Sequence, residues 1–363
     1  MEITPRRLVS FNQWAGNVIV GNNKVIPSIA MKSKLVLSIS LMLFCFSHEI
    51  LAQTLDQEAA KKESRIVVYG TTIPNVMAPI HNGFEKKYGV KVDYWRASAT
   101  AVVDRAITEW RAGKPGFDVL FAINGTIALL KRENALAKFT APAAAKFPAH
   151  LKDKDGVLTA FRHTPVSILY NTELVKPADL PKNFDDLLNP KWQGKIAMPD
   201  PSRHTSTAQF LWNMQKVKGE KWMDYARALA KQKPFLLESF APVPTALVKG
   251  EAQLGITYAQ YITQVKGPLS HVVFDKVLTD STDLALSAKA AAPNAAKLYI
   301  DYLCTADAQK IIADSGDFPI APGIYPNLKD AERVVANAVF MENPSDEQFT
   351  KLKEDFRKIF LTQ

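Results

Sequence analysis

The sequence predicts an α/β fold in which a strand–helix alternation is laid down, interrupted and then started again. Three observations carry that expectation. From 65 to 121, short apolar, β-branched runs alternate with helical stretches of about a dozen residues, the pattern of βαβ units and a mostly parallel sheet covered on both faces. The same alternation resumes at 195. Between the two series, Ser167–Tyr170 and later Val272–Phe274 read as strands crossing from one half to the other, and two crossings would make a hinge.

In the first series, Arg65-Ile66-Val67-Val68-Tyr69 is a buried strand that ends at Gly70. From about Asn75 to Tyr88, Val76, Ile80 and Phe84 fall at helical spacing, and Gly89 stops the helix where a left-handed cap is wanted. Val90–Tyr94 alternates as the next strand. Ser98 or Thr100 can cap a helix carrying Val102, Val103, Ala106, Ile107 and Trp110, which ends in the turn at Gly113–Gly116. Asp118–Phe121 then returns as a strand. In the second series Lys195–Met198 is a strand, Pro199–Thr205 a turn-rich loop, and Ser206–Val217 a helix with Phe210, Leu211 and Met214 inward. Pro234–Leu237 and Leu254–Tyr258 read as strands on either side of a helix from about Val243 to Lys249. Beyond Pro293 the chain reads as helical over Ala295–Leu303, Ala306–Ala313, Leu328–Val339 and Ser345–Phe360. Ligands of such sheets sit outside the carboxyl ends of the strands, so the loops 69–72, 95–100 and 122–126, each opening a helix, are the places to watch.

The length of 363 residues provides for about two domains with a sizeable core. Ahead of them, Lys32 and Lys34, the apolar run Leu35–Ser47 and Ile50-Leu51-Ala52 before Gln53 have the order of an export signal over 31–52. The run is shorter than the roughly 18 to 20 apolar residues that span a bilayer. Residues 1–30 read as a non-native extension from a start codon placed too early. A chain cut after Ala52 loses five basic and two acidic residues, so its net charge falls from +9 to +6, and it keeps Cys304 as its single cysteine.

Neither composition nor motif points to the common enzymes. Hydrophobic residues make up 47% and charged ones 22%, which fits neither disorder nor a many-spanning membrane protein. A P-loop, G-x-G-x-x-G, H-E-x-x-H, C-x-x-C and G-x-S-x-G are all absent, and the six histidines lack metal-ligand spacing. Paired carboxylates such as Asp185-Asp186 read as solvated turn residues. No resident cofactor is expected. The basic residues are scattered along helices and interleaved with acids, a solvated face and not a nucleic-acid surface.

Several stretches together resemble the extracellular solute-binding proteins of ABC importers, in particular the group (family 1) of ferric-iron, phosphonate and polyamine binders. They are the strand Val67-Val68-Tyr69, Ala112-Gly113-Lys114-Pro115 before Asp118-Val119, Leu169–Leu174, Phe184–Leu188, Lys249–Gly255 and Pro293–Lys297. The most specific is Asn189–Pro201, reading NPKWQGKIAMPDP. The resemblance implies a periplasmic-binding-protein fold of type II, two α/β lobes joined by a two-strand hinge, with lobe 1 over 53–163 and 275–328 and lobe 2 over 164–274 and 329–363. It implies a periplasmic or secreted monomer, not an enzyme, that captures a small solute between closing lobes and hands it to a membrane permease. An exported two-lobed α/β enzyme is the alternative of another class.

By the same resemblance, Tyr69, Gly70, Thr71, Thr72, Ser98, Ala99, Thr100 and Asn124 would supply the ligand site from lobe 1. Ser202, Arg203, His204, Thr205 and Ser206 would supply it from lobe 2. Arg203 suits a planar anion, since its fork can bind carboxylate or phosphonate bidentately, or it is a solvated loop cation. Thr205 and Ser206 can cap the helix they open, and His204 reads as a ligand contact or a surface histidine. Tyr258 and Tyr261 lie near where ferric binders of the family place a tyrosine pair, here three apart and not adjacent. Phenolates suit iron(III), which offsets their pKa of about 10; lining of an organic-ligand pocket and core packing stay open for both. Hydroxyls, helix starts and Arg203 together favour a small anion, phosphonate or carboxylate, as the ligand, with ferric iron on the two tyrosines as the alternative.

Overall fold

The computed structural model describes residues 55–362; the extension read at 1–30 and the export segment at 31–52 lie outside them. The strands are β1 (Arg65–Gly70), β2 (Lys91–Arg96), β3 (Val119–Ile123), β4 (Leu136–Ala137), β5 (Leu158–Asn171), β6 (Ile196–Pro199), β7 (Phe235–Leu237), β8 (Leu254–Tyr258), β9 (Leu269–Val272), β10 (Val277–Ser287), β11 (Phe318–Pro319) and β12 (Ala338–Phe340). The longer helices are α1 (Gln57–Glu63), α2 (Pro74–Tyr88), α3 (Ala99–Arg111), α4 (Asn124–Arg132), α5 (Thr205–Asn213), α6 (Trp222–Lys231), α7 (Val243–Val248), α8 (Pro293–Cys304), α9 (Ala306–Asp314), α10 (Ala331–Ala336) and α11 (Asp346–Leu361). No helix among the described residues is long and apolar enough to cross a membrane.

The first units form as their local signals require. Gly89 ends α2 at φ 71°, in the left-handed region that only a residue without Cβ enters freely, and its N–H closes on Glu85 O at 2.8 Å. Ser98, not Thr100, caps α3, its Oγ accepting from Ala101 N at 3.3 Å. Two helices stop short of their expected lengths. α5 ends at Asn213, whose amide donates back to Gln209 O and across to Glu342 O, and a single turn at Gln215–Lys218 follows. The stretch expected as a helix to Val339 ends at Ala336, because Ala338–Phe340 instead add a parallel strand to β10.

The strand order β2-β1-β3-β10-β5-β8-β6-β7 joins two sheets through β5. In the first, β1 is parallel to β2 and β3; in the second, β6 is parallel to β7 and β8. The expected parallel order fails in the middle, where β10 runs antiparallel to β3 and β5, and β5 antiparallel to β8 and β9. β5 pairs with β10 up to Pro165 and with β8 from Val166. Pro165 has no N–H to give a ladder and sits at that changeover, its carbonyl accepting from Ala259 N at 2.9 Å. Beside β5, α8 and α2 cover the first sheet with Phe84, Phe121, Phe161 and Tyr299 in the core, while α5 and α11 cover the second with Trp192, Phe210, Leu254 and Phe356.

Candidate functional site

Six parallel strands end at one cleft. Thr71 follows β1, Arg96 and Ile123 are the last residues of β2 and β3, Ser98 and Ala99 open α3, and His204 and Ser206 stand at the start of α5 after β6. Ser239, Phe240 and Ala241 follow β7, Tyr258 ends β8 and Tyr261 opens the turn after it. Arg162 and Thr164 of β5 complete the lining. The free interior is about 40 Å³, room for an ion with a few water-sized groups.

Of the expected residues, Thr71, Ser98, Ala99, His204, Ser206, Tyr258 and Tyr261 meet there. Tyr69, Gly70, Thr72, Thr100, Ser202, Arg203 and Thr205 do not line it. Tyr69 is in the core against Trp95 and Phe117, its hydroxyl donating to Glu109 at 3.1 Å, and burial followed by the Glu109 charge pushes its pKa up to about 12. Gly70 lies under the Phe121 ring, where an added Cβ would stand 2.2 Å from a ring carbon. Thr72 is buried with its carbonyl taken by Tyr94 Oη, and Asn124 is the first residue of α4. Thr100 and Thr205 face each other at 3.4 Å over a neighbouring depression beside Lys353. Ser202 donates to Asp200 Oδ1 through both N and Oγ. Arg203, the expected anion anchor, turns outward with 81% of its side chain exposed, 3.7 Å from Asp200. Its loop is closed on itself by the Asp200 carboxylate, which leaves the arginine no reason to fold inward. Nor does Thr205 cap its helix: His204 is the N-cap, and Thr205 is already helical.

The sequence reading missed the two arginines that do face the cleft. Arg96 ends β2 at the carboxyl end of a parallel strand, a position the sheet rule marks. Arg162 lies on β5, where Arg, His, Thr and Pro in succession hide the strand. No carboxylate among the described residues lines the cleft, so its wall is cationic. Tyr258 is buried and Tyr261 half-buried: Tyr258 is raised well above 10, by burial first and then by Tyr261 and Asp280, with Ser206 lowering it, and Tyr261 is also raised by burial, with Arg162 pulling the other way. Their rings are 5.8 Å apart. His204 is neutral, held down to about 4 by burial and then by Lys353, with Nδ1 bonded to Thr207 Oγ1 at 2.8 Å. Three buried polar atoms at this cleft, Tyr258 Oη, Ser206 Oγ and Arg162 Nε, have no hydrogen-bond partner. Buried polar groups are nearly always paired, so three orphans in one place set this cleft apart from the core around it. Among the described residues no group of three or more His, Cys, Asp or Glu is placed to hold a metal, so a metal here would need the tyrosines.

Residues 114–358 match the family of bacterial extracellular solute-binding proteins. The chain belongs to that family. Its members are the non-catalytic capture components of ABC importers, working in the periplasm or outside the cell, which sets the exported enzyme aside. This solute-binding protein is 27% identical over 122 residues to one from Sinorhizobium fredii named a probable ABC transporter periplasmic-binding protein, covering 33% of this chain and 34% of that one. It is 24% identical over 206 residues to the Fe(3+)-binding periplasmic protein of Serratia marcescens, covering 56% and 60%. The chain thus spans about a third and about three fifths of those two relatives. With iron uptake protein A1 of a Synechocystis strain the identity is 23% over 292 residues, covering 72% and 78%. Among solved structures, iron-bound HitA from Pseudomonas aeruginosa superposes with a TM-score of 0.68 at 17% identity, covering 80% of this chain and 99% of that one. A Trichodesmium protein in complex with iron and citrate gives 0.61 at 19% identity, covering 82% and 98%. These likenesses establish an α/β periplasmic-binding-protein-like fold.

Proposed function

We propose that the protein captures iron(III) on the phenolates of Tyr258 and Tyr261, together with a small anion on Arg96 and Arg162, and delivers it to a membrane permease. The observation that carries this reading is the cluster of orphaned polar atoms around two converging tyrosines in a cleft without carboxylates. Burial alone holds both phenols protonated; a trivalent cation inverts that preference. Two phenolates offset only two of its three charges and Arg96 adds another, the charge of Arg162 being met by Asp317, so an anion must enter with the ion. The anion expected from the sequence becomes a co-ligand in place of the solute. The relatives' names, which speak of ferric iron, iron uptake and iron with citrate, support this choice.

Closure follows the same reading. Lobe 1 (53–163 and 275–328) and lobe 2 (164–274 and 329–363) rotate about the two crossings formed by β5 and by the chain from β9 into β10. A ligand touching Arg96 and Ser98 on one side and Ser206 and Tyr258 on the other favours the closed form, by as much as it binds that form better. The test is the visible spectrum of the purified protein titrated with ferric citrate. A tyrosinate-to-iron band that vanishes in both Tyr258→Phe and Tyr261→Phe is expected. A protein that stays colourless overturns the iron reading. The paired arginines then favour a second one, a small carboxylate or phosphonate bound alone, which a citrate or phosphonate shift in melting temperature would reveal.

A further inference from the structure

Arg162 is the buried arginine of the cleft, and several devices outside the cleft fix its aim. Along β5, Arg162 stands opposite Thr282 and Ala160 opposite Asp283, so Phe161 is an extra residue, a β-bulge. Bulges bend a strand and re-aim the side chains beside them. On the other edge of β5, β11 pairs Phe318 with His163 and Pro319 with Arg162. That pairing sets Asp317 next to the guanidinium, with Nη1 donating to Asp317 Oδ2 at 2.7 Å. Gln309 of α9 ties the two together: its amide donates to Phe161 O at 2.8 Å, and its carbonyl accepts from Ile320 N at 2.8 Å and Ala321 N at 2.9 Å.

As a source of stability this pair is poor. The two side chains are 8% and 0% exposed, and a buried ion pair recovers its desolvation cost only when every prong is satisfied. Here Arg162 Nε and Asp317 Oδ1 are both buried without partners. Two apolar side chains would fill the space at less cost. The arrangement makes sense if the aim of the guanidinium matters more than the energy of the pair. We propose that Asp317, which does not itself line the cleft, is a positioning residue: it pins one nitrogen of Arg162 so that the remaining donors meet the anion that enters with the captured ion. This rests on the iron-with-anion reading above.

The test is a double-substitution cycle on the full chain, read by titrating the tyrosinate band with ferric citrate. Asp317→Asn should weaken ferric citrate roughly tenfold or more, the usual cost of losing an outer-shell partner, while the band at saturation keeps its intensity because both phenolates remain. Arg162→Gln/Asp317→Asn should bind no more weakly than Arg162→Gln alone. An Asp317→Asn protein that melts earlier yet binds ferric citrate as the wild type does overturns the proposal, since the pair is then only a tie between β5 and β11. If Asp317→Asn does not fold, Asp317→Glu carries the test: it keeps the charge and displaces it by one methylene, so weaker binding by the folded variant upholds the role and wild-type affinity overturns it. A wild-type chain that shows no band sinks the iron reading instead. The cycle then passes to citrate alone by calorimetry, where a tenfold loss in Asp317→Asn upholds the positioning role and equal affinities overturn it.

Discussion

Tyr299 and Tyr258 are both buried tyrosines, and their surroundings treat them oppositely. In the core of the first sheet, Tyr299 Oη meets His81 Nε2 at 2.9 Å while its ring stands edge-on to Phe84, 5.1 Å away. At the cleft, Tyr258 packs as closely, 4.5 Å from Phe240 and 5.8 Å from Tyr261, but its hydroxyl has no partner. A polar group buried alone costs about 1–3 kcal/mol. Orphans occur elsewhere, Tyr225 Oη and Trp192 Nε1 among them, yet at the cleft they converge with a charged group. Where the core satisfies a phenol, the cleft leaves one unsatisfied, the place that the proposed function gives to the ligand.

The contrast is broken or sharpened most strongly by Tyr258→Phe. It should abolish the iron band and weaken ferric citrate more than about 100-fold, beyond the outer-shell range, with little change in melting temperature, because the lost hydroxyl has no partner closer than its neighbour Ser206. A large fall in melting temperature would mean that the hydroxyl has a structural partner after all. Next in size is the response to acid. His81 in the core, His163 on β5 and His204 at the cleft are each held down to about 4, by burial first in every case. A folded-state pKa below the unfolded 6.5 gives stability that is present above 6.5 and lost as pH falls towards 4, at most about 3 kcal/mol per histidine. Urea unfolding at pH 7 and pH 4.5 should show that loss, and His204→Gln should narrow the gap; an unchanged gap would mean His204 does not contribute. Asp280, raised to about 7 by burial and then by Asp283, works with the opposite sign, its contribution fading as pH rises through 7. Tyr299→Phe should follow at about 1–3 kcal/mol of stability, since it strands His81, with ferric citrate binding unaltered. Smallest is Arg203→Ala, within about 0.5 kcal/mol in stability and with unchanged affinity. A tenfold loss of binding there would restore Arg203 as an anchor.

The sequence revealed the parts of the fold that local rules govern. The alternation around Val67–Tyr69 and Leu254–Tyr258, the cap at Ser98 and the stop at Gly89 all act within a few residues, and each stands where the pattern puts it. The central strands obey no such rule. Thr279–Asp283 has no apolar residue to mark a strand, yet every one of these residues is buried in β10, because β3, β5 and β12 surround it. Which of the expected residues face the cleft depends on the same long-range packing. The loop 199–206 reaches the cleft through His204 and Ser206, while Arg203 turns outward beside Asp200. Tyr258 and Tyr261 were legible because strand end and helical turn are both local features.

The bulge at Phe161 has a consequence for how the cleft is built. Because Phe161 is the extra residue, Ala160 opposite Asp283 and Arg162 opposite Thr282 keep the faces that an unbroken ladder would give them. The bulge therefore bends and twists β5 at Arg162 and leaves the pairing on either side in step. The guanidinium is aimed there without re-registering either sheet.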